Sequence, residues 1–275
     1  MKNQKYSVLM SVYAKENPKF LRKSMMSMYN QTVPTDDFVL ICDGPLNEKL
    51  DKVIDEMQEK FGEKLRVFRL NENQGLGLAL KFGMKKCKNE LIARMDSDDV
   101  SDKNRIKKEL KIFDKMDVDV VGSNVVEFDE KMKTKFGERI VPEEHDDIAR
   151  MLKKRNPMNH VTVVFKKSKV VAAGGYKEML FFEDYYLWAR MIDRGCVFYN
   201  VQDNLVSVRG AAGMLARRGS LEYVACIRSF EHELKAMDMI NTLQYGVNLL
   251  GRSAVALMPN KMRDVVYSKA LRRGA

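Results

Sequence analysis

Over about the first 95 residues, strand-length apolar runs alternate with helix-length amphipathic segments, and no other feature constrains the fold as strongly. Tyr6 to Val12 is short and nearly continuously apolar, as expected of a central parallel strand covered on both faces. Pro18 opens a helix-length segment that ends at Asn30, before Gln31-Thr32-Val33-Pro34. Phe38 to Cys42 is a second strand, stopped by Asp43-Gly44-Pro45, and Glu48 to Phe61 reads as a helix with Leu50, Val53, Ile54 and Met57 on one face. Leu65 to Leu70 is a third strand. The polar stretch Asn71 to Gly77 then leads into a helix through Cys87, and Glu90 to Met95 is the fourth strand. The expected architecture is α/β, a doubly wound and mostly parallel sheet with helices on both faces.

In such sheets ligands bind beyond the carboxyl ends of the strands. Three polar clusters fall at those ends: Ser11 to Glu16, Asp43-Gly44, and the acidic run in Arg94-Met95-Asp96-Ser97-Asp98-Asp99. Neighbouring carboxylates repel unless a cation or hydrogen-bond donors compensate. Mg²⁺ and Mn²⁺ prefer oxygen ligands, and Mg²⁺ is typically held by one or two carboxylates plus substrate phosphates. Alone, Asp-x-Asp reads as well as a solvated loop before a helix. Convergence of the clusters at one sheet edge favours a nucleotide and metal site.

Beyond Asp99, Ser101 to Lys115 is a charged helix with Ile106, Leu110 and Phe113 turned inward, and Val118 to Phe128 is a strand. Lys131 to Glu144 reads as a loop, Asp146 to Lys154 as a short helix, and Val161 to Phe165 as a strand preceded by Asn156-Pro157-Met158-Asn159-His160. Gly174-Gly175-Tyr176 breaks the pattern before Phe181-Phe182-Glu183-Asp184-Tyr185-Tyr186-Leu187-Trp188, which enters a helix ending at Gly195. Glu183 and Asp184 suit a helix N-terminus. Their aromatic surroundings would also desolvate a carboxylate and raise its pKa toward a general base's range. Trp188 and His160 read as core residues or as acceptor contacts. After a last strand, Leu205 to Arg209, the glycine-rich stretch from Gly210 to Gly219 carries Arg217 and Arg218. With Arg209, these are candidate phosphate ligands on a closing loop.

From Ser220 onward the pattern is helical, with Ile240, Leu243, Val247, Leu250, Ala254 and Leu257 on one stripe. From residue 241 on, Arg252, Lys261, Arg263, Lys269, Arg272 and Arg273 face one acid, Asp264. Such a tail suits a membrane interface, packing on the preceding domain, or a second subunit. The chain has 275 residues, 45% hydrophobic, enough for a sizeable core. Cys42, Cys87, Cys196 and Cys226 are far apart, which argues against a zinc site or a disulfide framework and for a reducing compartment. Neither a signal peptide nor a membrane span is expected. A net charge of +10 suits anionic partners, but no nucleic-acid-binding motif is present.

Seven segments in order resemble family 2 glycosyltransferases of the GT-A fold, in particular bacterial enzymes of capsule, exopolysaccharide and O-antigen assembly. They are Ser-Val-Leu-Met-Ser-Val-Tyr, Ser-Met-Tyr-Asn-Gln-Thr, Cys-Asp-Gly-Pro-Leu, Asn-Gln-Gly-Leu-Gly-Leu-Ala-Leu, Ala-Arg-Met-Asp-Ser-Asp-Asp, Asn-Pro-Met-Asn-His and Phe-Glu-Asp-Tyr-Tyr-Leu-Trp. The resemblance implies a GT-A domain over residues 1–219, with 1–100 the nucleotide-binding half and 101–219 the acceptor-binding half, and an amphipathic tail over 220–275. It implies that Ser11, Tyr13 and Asp43 hold the base, with Glu16 nearby, and that Asp96 meets the ribose or the metal. Asp98 would be the principal ligand of Mn²⁺ or Mg²⁺, Asp184 the catalytic base, and Glu183 its support or an acceptor contact. Where many relatives place a late histidine, this chain has Arg209, Arg217 and Arg218. The implied reaction is inverting transfer from a nucleotide sugar, UDP-linked by analogy with the family, to a glycan acceptor. That acceptor would be lipid-diphosphate-linked or an oligosaccharide, at the inner face of the cell membrane. A homodimer is left open. The alternatives are a silent homologue acting as an assembly partner and a sugar-nucleotide pyrophosphorylase, whose glycine-rich triphosphate loop is absent from Tyr13-Ala14-Lys15-Glu16-Asn17.

Overall fold

The computed structural model describes residues 4–210, 219–259 and 262–263. Strand β1 (Tyr6–Val12) leads to helix α1 (Pro18–Tyr29), capped by the Asn17 side chain, which accepts the Lys19 N–H. Then come β2 (Asp37–Cys42), α2 (Glu48–Phe61), β3 (Leu65–Arg69), α3 (Leu76–Lys86) and β4 (Leu91–Asp96). These four strands pair in parallel in the order β3-β2-β1-β4, as the alternation requires. Successive side chains on a strand point to opposite faces. Val8, Met10 and Val12 therefore pack with Leu21, Met25 and Ile54 of α1 and α2. Leu9, Val39 and Ile41 pack on the other face with Ala79, Leu80 and Met84 of α3.

The second half comprises β5 (Val100–Ser101), α4 (Arg105–Lys115), β6 (Val120–Phe128), β7 (Lys135–Arg139), α5 (His145–Leu152), β8 (Val164–Lys166), α6 (Lys167–Ala172), α7 (Glu183–Asp193) and β9 (Phe198–Val208). Strand β8 joins β4 antiparallel, and the sheet of nine strands runs β3-β2-β1-β4-β8-β6-β9-β5, with β7 paired to β6. The segment expected to be a loop, 131–144, thus contains a strand that makes a hairpin with β6. The strand expected over Val161 to Phe165 begins only at Val164. Its first residues form a 3₁₀ turn (His160–Thr162), closed by the Thr162 hydroxyl, which donates to the Asn159 carbonyl at 2.8 Å.

Two helices follow, α8 (Leu221–Ala236) and α9 (Thr242–Leu257). Tyr223, Ile227, Phe230 and Leu234 of α8 are buried, and Phe230 stacks on Phe182 and Tyr185 at the start of α7. The apolar stripe expected on this region divides. Ile240 is buried, whereas Leu243, Val247, Leu250 and Leu257 are exposed. Helix α9 is held through Tyr245, Leu249 and Ala256, which pack on the core, and through polar contacts beside them. Asn248 Nδ2 donates to the Lys153 carbonyl (2.8 Å) and to Glu231 (3.0 Å), and an Arg252 Nη donates to the Lys154 carbonyl (2.5 Å) and the Tyr185 hydroxyl (3.0 Å). Among the described residues no helix is long and apolar enough to cross a membrane.

Candidate functional site

Strand order reverses between β1 and β4, and such a switch point opens a crevice beyond the strand ends. Ser11 at the end of β1 lies in register with Asp96 at the end of β4, and the Asp43 N–H donates to the Val12 carbonyl at 2.8 Å. The three polar clusters singled out in the sequence therefore meet. Tyr13 stands exposed on the loop beyond Ser11. Glu16 is tied to the acidic loop, accepting from the Ser97 hydroxyl at 2.6 Å.

Asp43 is buried, and its carboxylate accepts from the Gln74 N–H (2.7 Å), the Gly75 N–H (3.0 Å) and Asn73 Nδ2 (3.0 Å). Most of its hydrogen-bonding capacity thus shapes the loop ahead of α3. Gly44 makes that approach feasible: its φ is +87°, and an added Cβ would lie 2.7 Å from the Asn73 nitrogen.

The acidic run is unequal residue by residue. Arg94, fully buried, forms a two-pronged pair with Asp96, whose side chain stays 34% exposed. Strand alternation puts residues two apart on one face, so the pair is built into β4. Among the described residues Asp98 has no such ion pair. Burial, reinforced by the charges of Asp96 and Glu16, pushes its pKa up to about 7. Asp99 is buried deeper and raised well above the ordinary carboxylate range by desolvation and then by Asp98 and Asp96, while the Arg209 N–H, donating at 2.7 Å, opposes the rise.

On the far side of Arg94 stand Glu183 and Asp184, in the first turn of α7. Burial, then the adjacent Asp184, pushes Glu183 up to about 7. Burial also raises Asp184, against an Asn156 Nδ2 donated to Oδ2 at 2.7 Å and the Tyr185 N–H. The Arg94 charge lowers both, and that of Asp96 raises Glu183. One buried guanidinium thus serves the acids at the end of β4 and the pair at the start of α7.

Three expected contacts are placed differently. Trp188 is fully buried among His160 and Phe198, so it is core and no platform for an acceptor. Arg209 is 8% exposed and lies flat on Phe20, its ring 3.7 Å away. Its guanidinium donates to the carbonyls of Asp98 (2.8 Å) and Glu130 (2.6 Å), which makes it a strap on the acidic loop. His160 Nε2 bonds the Tyr176 hydroxyl at 2.8 Å, and burial followed by the Arg94 charge holds its pKa well below the ordinary histidine value. It is a neutral residue and offers phosphate no charge. Arg217 and Arg218 lie outside the described residues. Sequence reasoning passed over Arg94, Asn156 and the 73–75 loop. The Arg-x-Asp spacing on a strand was the one available signal for the first.

A divalent cation fits this donor set. Asp98 and Asp96 are hard oxygen ligands at the open end of β4, where Asp96 keeps 34% of its side chain exposed. Among the described residues no group of three His, Cys, Asp or Glu side chains is placed to hold a metal alone. The remaining ligands would then come from solvent and a phosphate-bearing substrate.

A model of the family "Glycosyl transferase family 2" matches residues 7–172. The UDP-Gal:alpha-D-GlcNAc-diphosphoundecaprenol beta-1,3-galactosyltransferase of Escherichia coli is 34% identical over 270 residues, covering 98% of this chain and 97% of its own. The amylovoran biosynthesis glycosyltransferase AmsE of Erwinia amylovora is 33% identical over 265 residues, 96% and 98% of the two chains. Among solved structures, S. aureus TarS 1-349 in complex with UDP-GlcNAc superposes with a TM-score of 0.67 at 17% identity, over 98% of this chain and 76% of that one. The mannosyltransferase PcManGT of Pyrobaculum calidifontis, in complex with GDP-Man and Mn²⁺, gives 0.64 at 13% identity, over 97% and 75%. With a doubly wound sheet, a nucleotide-type crevice at its switch point and these relatives along nearly its whole length, the chain belongs to the family 2 glycosyltransferases and has the GT-A fold.

Proposed function

We propose that this chain transfers a sugar from a UDP-linked donor to a glycan acceptor carried on a lipid diphosphate, with inversion at the anomeric carbon, in the synthesis of a bacterial surface polysaccharide. The observation that carries the reading is the meeting of two acidic groups, Asp96 with Asp98 and Glu183 with Asp184, about the buried Arg94. The names of the Escherichia coli and Erwinia amylovora relatives support the substrate classes.

Ser11 and Tyr13 line the base and ribose side of the crevice, and Asp43 fixes the 73–75 loop that completes it. Asp98, with Asp96, would hold Mn²⁺ or Mg²⁺, which would supply positive charge against the negative charge building on the departing diphosphate. Arg94 keeps Asp96 aimed from below through both its oxygens. Asp184, oriented by Asn156, accepts the proton of the acceptor hydroxyl. That oxygen bonds to the anomeric carbon from the face opposite the diphosphate, and the bond between carbon and diphosphate oxygen breaks. Products are the inverted glycoside and UDP. Holding the two substrates in line supplies much of the rate.

Calorimetric titration with UDP, GDP and dTDP, with and without Mn²⁺, tests the donor half. UDP is expected to bind with metal, and Asp98→Ala to lose that binding. Asp184→Asn should bind UDP nearly as the parent does and fail to transfer sugar. Near-normal turnover of Asp184→Asn would refute the base assignment. Failure of every nucleotide to bind the folded protein would leave a silent assembly partner as the reading.

A further inference from the structure

Trp188 is core, yet the molecule presents aromatic surface on both sides of the candidate site. Among the described residues the exposed aromatic residues are Tyr13 (43%) and Phe181 (37%). Tyr13 lies on the loop beyond β1, on the nucleotide side, and Phe181 lies two residues before Glu183, on the side of the proposed base.

Phe181 is held out at a conformational cost. The Phe182 N–H donates to the Met179 carbonyl at 2.8 Å, closing a turn with Leu180 and Phe181 at its centre, and the φ of Phe181 is +67°. Left-handed backbone at that position favours glycine, and a bulky side chain there is strained. Burial does not explain it, since the neighbouring Leu180 is 53% exposed as well. What the turn achieves is a division of two adjacent rings. Phe182 turns inward and stacks on Tyr223 (5.5 Å, 19°) and Phe230 (5.0 Å, 12°), whereas Phe181 meets Tyr223 edge to face (5.2 Å, 78°) and stays exposed. Strain kept at an exposed ring beside a functional pair is a mark of function.

The turn is also fixed relative to the site. A Cβ added at Gly77, in the first turn of α3, would lie 3.3 Å from the Glu183 Cβ and 3.5 Å from the Lys177 carbonyl oxygen. The segment 178–182 therefore leaves and rejoins the start of α3, whose loop Asp43 holds, and it exposes Leu180 and Phe181 between. We infer that Phe181 is the platform on which the sugar ring of the acceptor lies, its apolar C–H face against the aromatic ring while one hydroxyl reaches Asp184. The assignment rests on the function proposed above. A sugar placed for proton transfer to Asp184 covers the side chains that border the first turn of α7, and a ring fixed by Tyr223 offers it contact area at little ordering cost. The apolar surface is only Leu180 and Phe181 wide, between the polar Lys177, Glu178 and Glu183. That suits a sugar, apolar on its face and polar at its rim, better than an acyl chain.

The test is equilibrium binding of the decyl diphosphates of glucose, galactose, N-acetylglucosamine and N-acetylgalactosamine, and of decyl diphosphate alone, to the full chain with UDP and Mn²⁺ present. The parent should bind at least one sugar ester more tightly than decyl diphosphate. Phe181→Ala should bind that ester about tenfold more weakly, the scale of one aromatic contact, and Phe181→Tyr should stay within about twofold of the parent. Phe181→Gly separates this role from a structural one. Glycine relieves the backbone, so that variant should unfold later than Phe181→Ala on heating yet bind the sugar equally weakly. Sugar affinity unchanged in Phe181→Ala, or restored in Phe181→Gly, would overturn the platform. Equal losses for decyl diphosphate would give the ring to the lipid chain and also overturn it, as would failure of every ester to bind the folded parent. A parent that binds no UDP, but whose sugar affinity depends on the ring, would refute the proposed function and leave the sugar platform standing.

Discussion

Removing the Asn156 amide should move the pH dependence of transfer in a defined direction. Its Nδ2 donates to Asp184 Oδ2 at 2.7 Å, and it favours the charged carboxylate against the burial that disfavours it. A hydrogen bond to a charged group contributes about 1.5–3 kcal/mol, and a half-buried site takes the lower figure. At about 1.4 kcal/mol per pH unit, losing it raises the pKa of the base further, by about one unit. The base must be ionised to accept a proton. The acid limb of kcat/KM in Asn156→Ala should therefore move up by about one pH unit, with transfer below the limb reduced about tenfold and recovered in alkaline buffer. Asn156 Oδ1 also accepts the Met158 N–H at 3.1 Å, so the alanine variant loosens the loop as well. Asn156→Asp keeps an acceptor for Met158 and places a like charge beside Asp184, and its limb should move further. The assay is sugar transfer at low acceptor concentration across a pH series. An unmoved limb with a lower plateau in both variants would refute the role given to this hydrogen bond.

Two further outcomes follow from the acids and from one glycine. Glu183 has a folded pKa of about 7 against an ordinary value near 4.5, so stability is full below about pH 4.5 and is lost as pH rises through 7. Glu183→Gln should remove that slope and raise stability at pH 8 by about 1–3 kcal/mol, read from urea unfolding at several pH values; an unchanged slope would refute it. Gly44→Ala combines a left-handed backbone with a Cβ 2.7 Å from the Asn73 nitrogen. It should cost about 2–4 kcal/mol by thermal unfolding and weaken UDP binding by displacing the 73–75 loop; a variant with parental stability would show that the loop yields freely.

The parts of the fold legible in the sequence were those where local pattern and burial agree. Buried on both faces, β1, β2 and β4 read as apolar runs, and Pro18 marked the start of α1. Strand β7 escaped notice because Lys135-Phe136-Gly137-Glu138-Arg139 buries only Gly137, and its pairing to β6 is what makes it a strand. Helix α6 is six residues long and contains Val170 and Val171, so propensity did not announce it. Periodicity correctly grouped Leu243, Val247 and Leu250 on one face, but a period cannot say which face is fastened to the body. The packing of Tyr245, Leu249 and Ala256 on the core, with the polar contacts of Asn248 and Arg252, decided that. At the candidate site, the sequence singled out the residues with conspicuous charge, Asp96, Asp98, Glu183 and Asp184. Arg94 and Asn156, which govern those charges, are defined by long-range packing and by one loop reaching α7.

The Arg209 strap also bears on the order of assembly. Asp99 and the Arg209 N–H that it accepts are 110 residues apart, and the Asp98 carbonyl is held across 111. Strands β1 to β4 can pair as soon as residue 96 has been made, and Glu16 can then hold Ser97, yet the strap on Asp98 and Asp99 waits until the chain has grown past residue 209. Contacts of such sequence separation form late, because their loop-closure entropy must be overcome first. During synthesis, then, the sheet precedes its completed acidic loop, and a chain released short of residue 209 would lack the strap on Asp98 and Asp99.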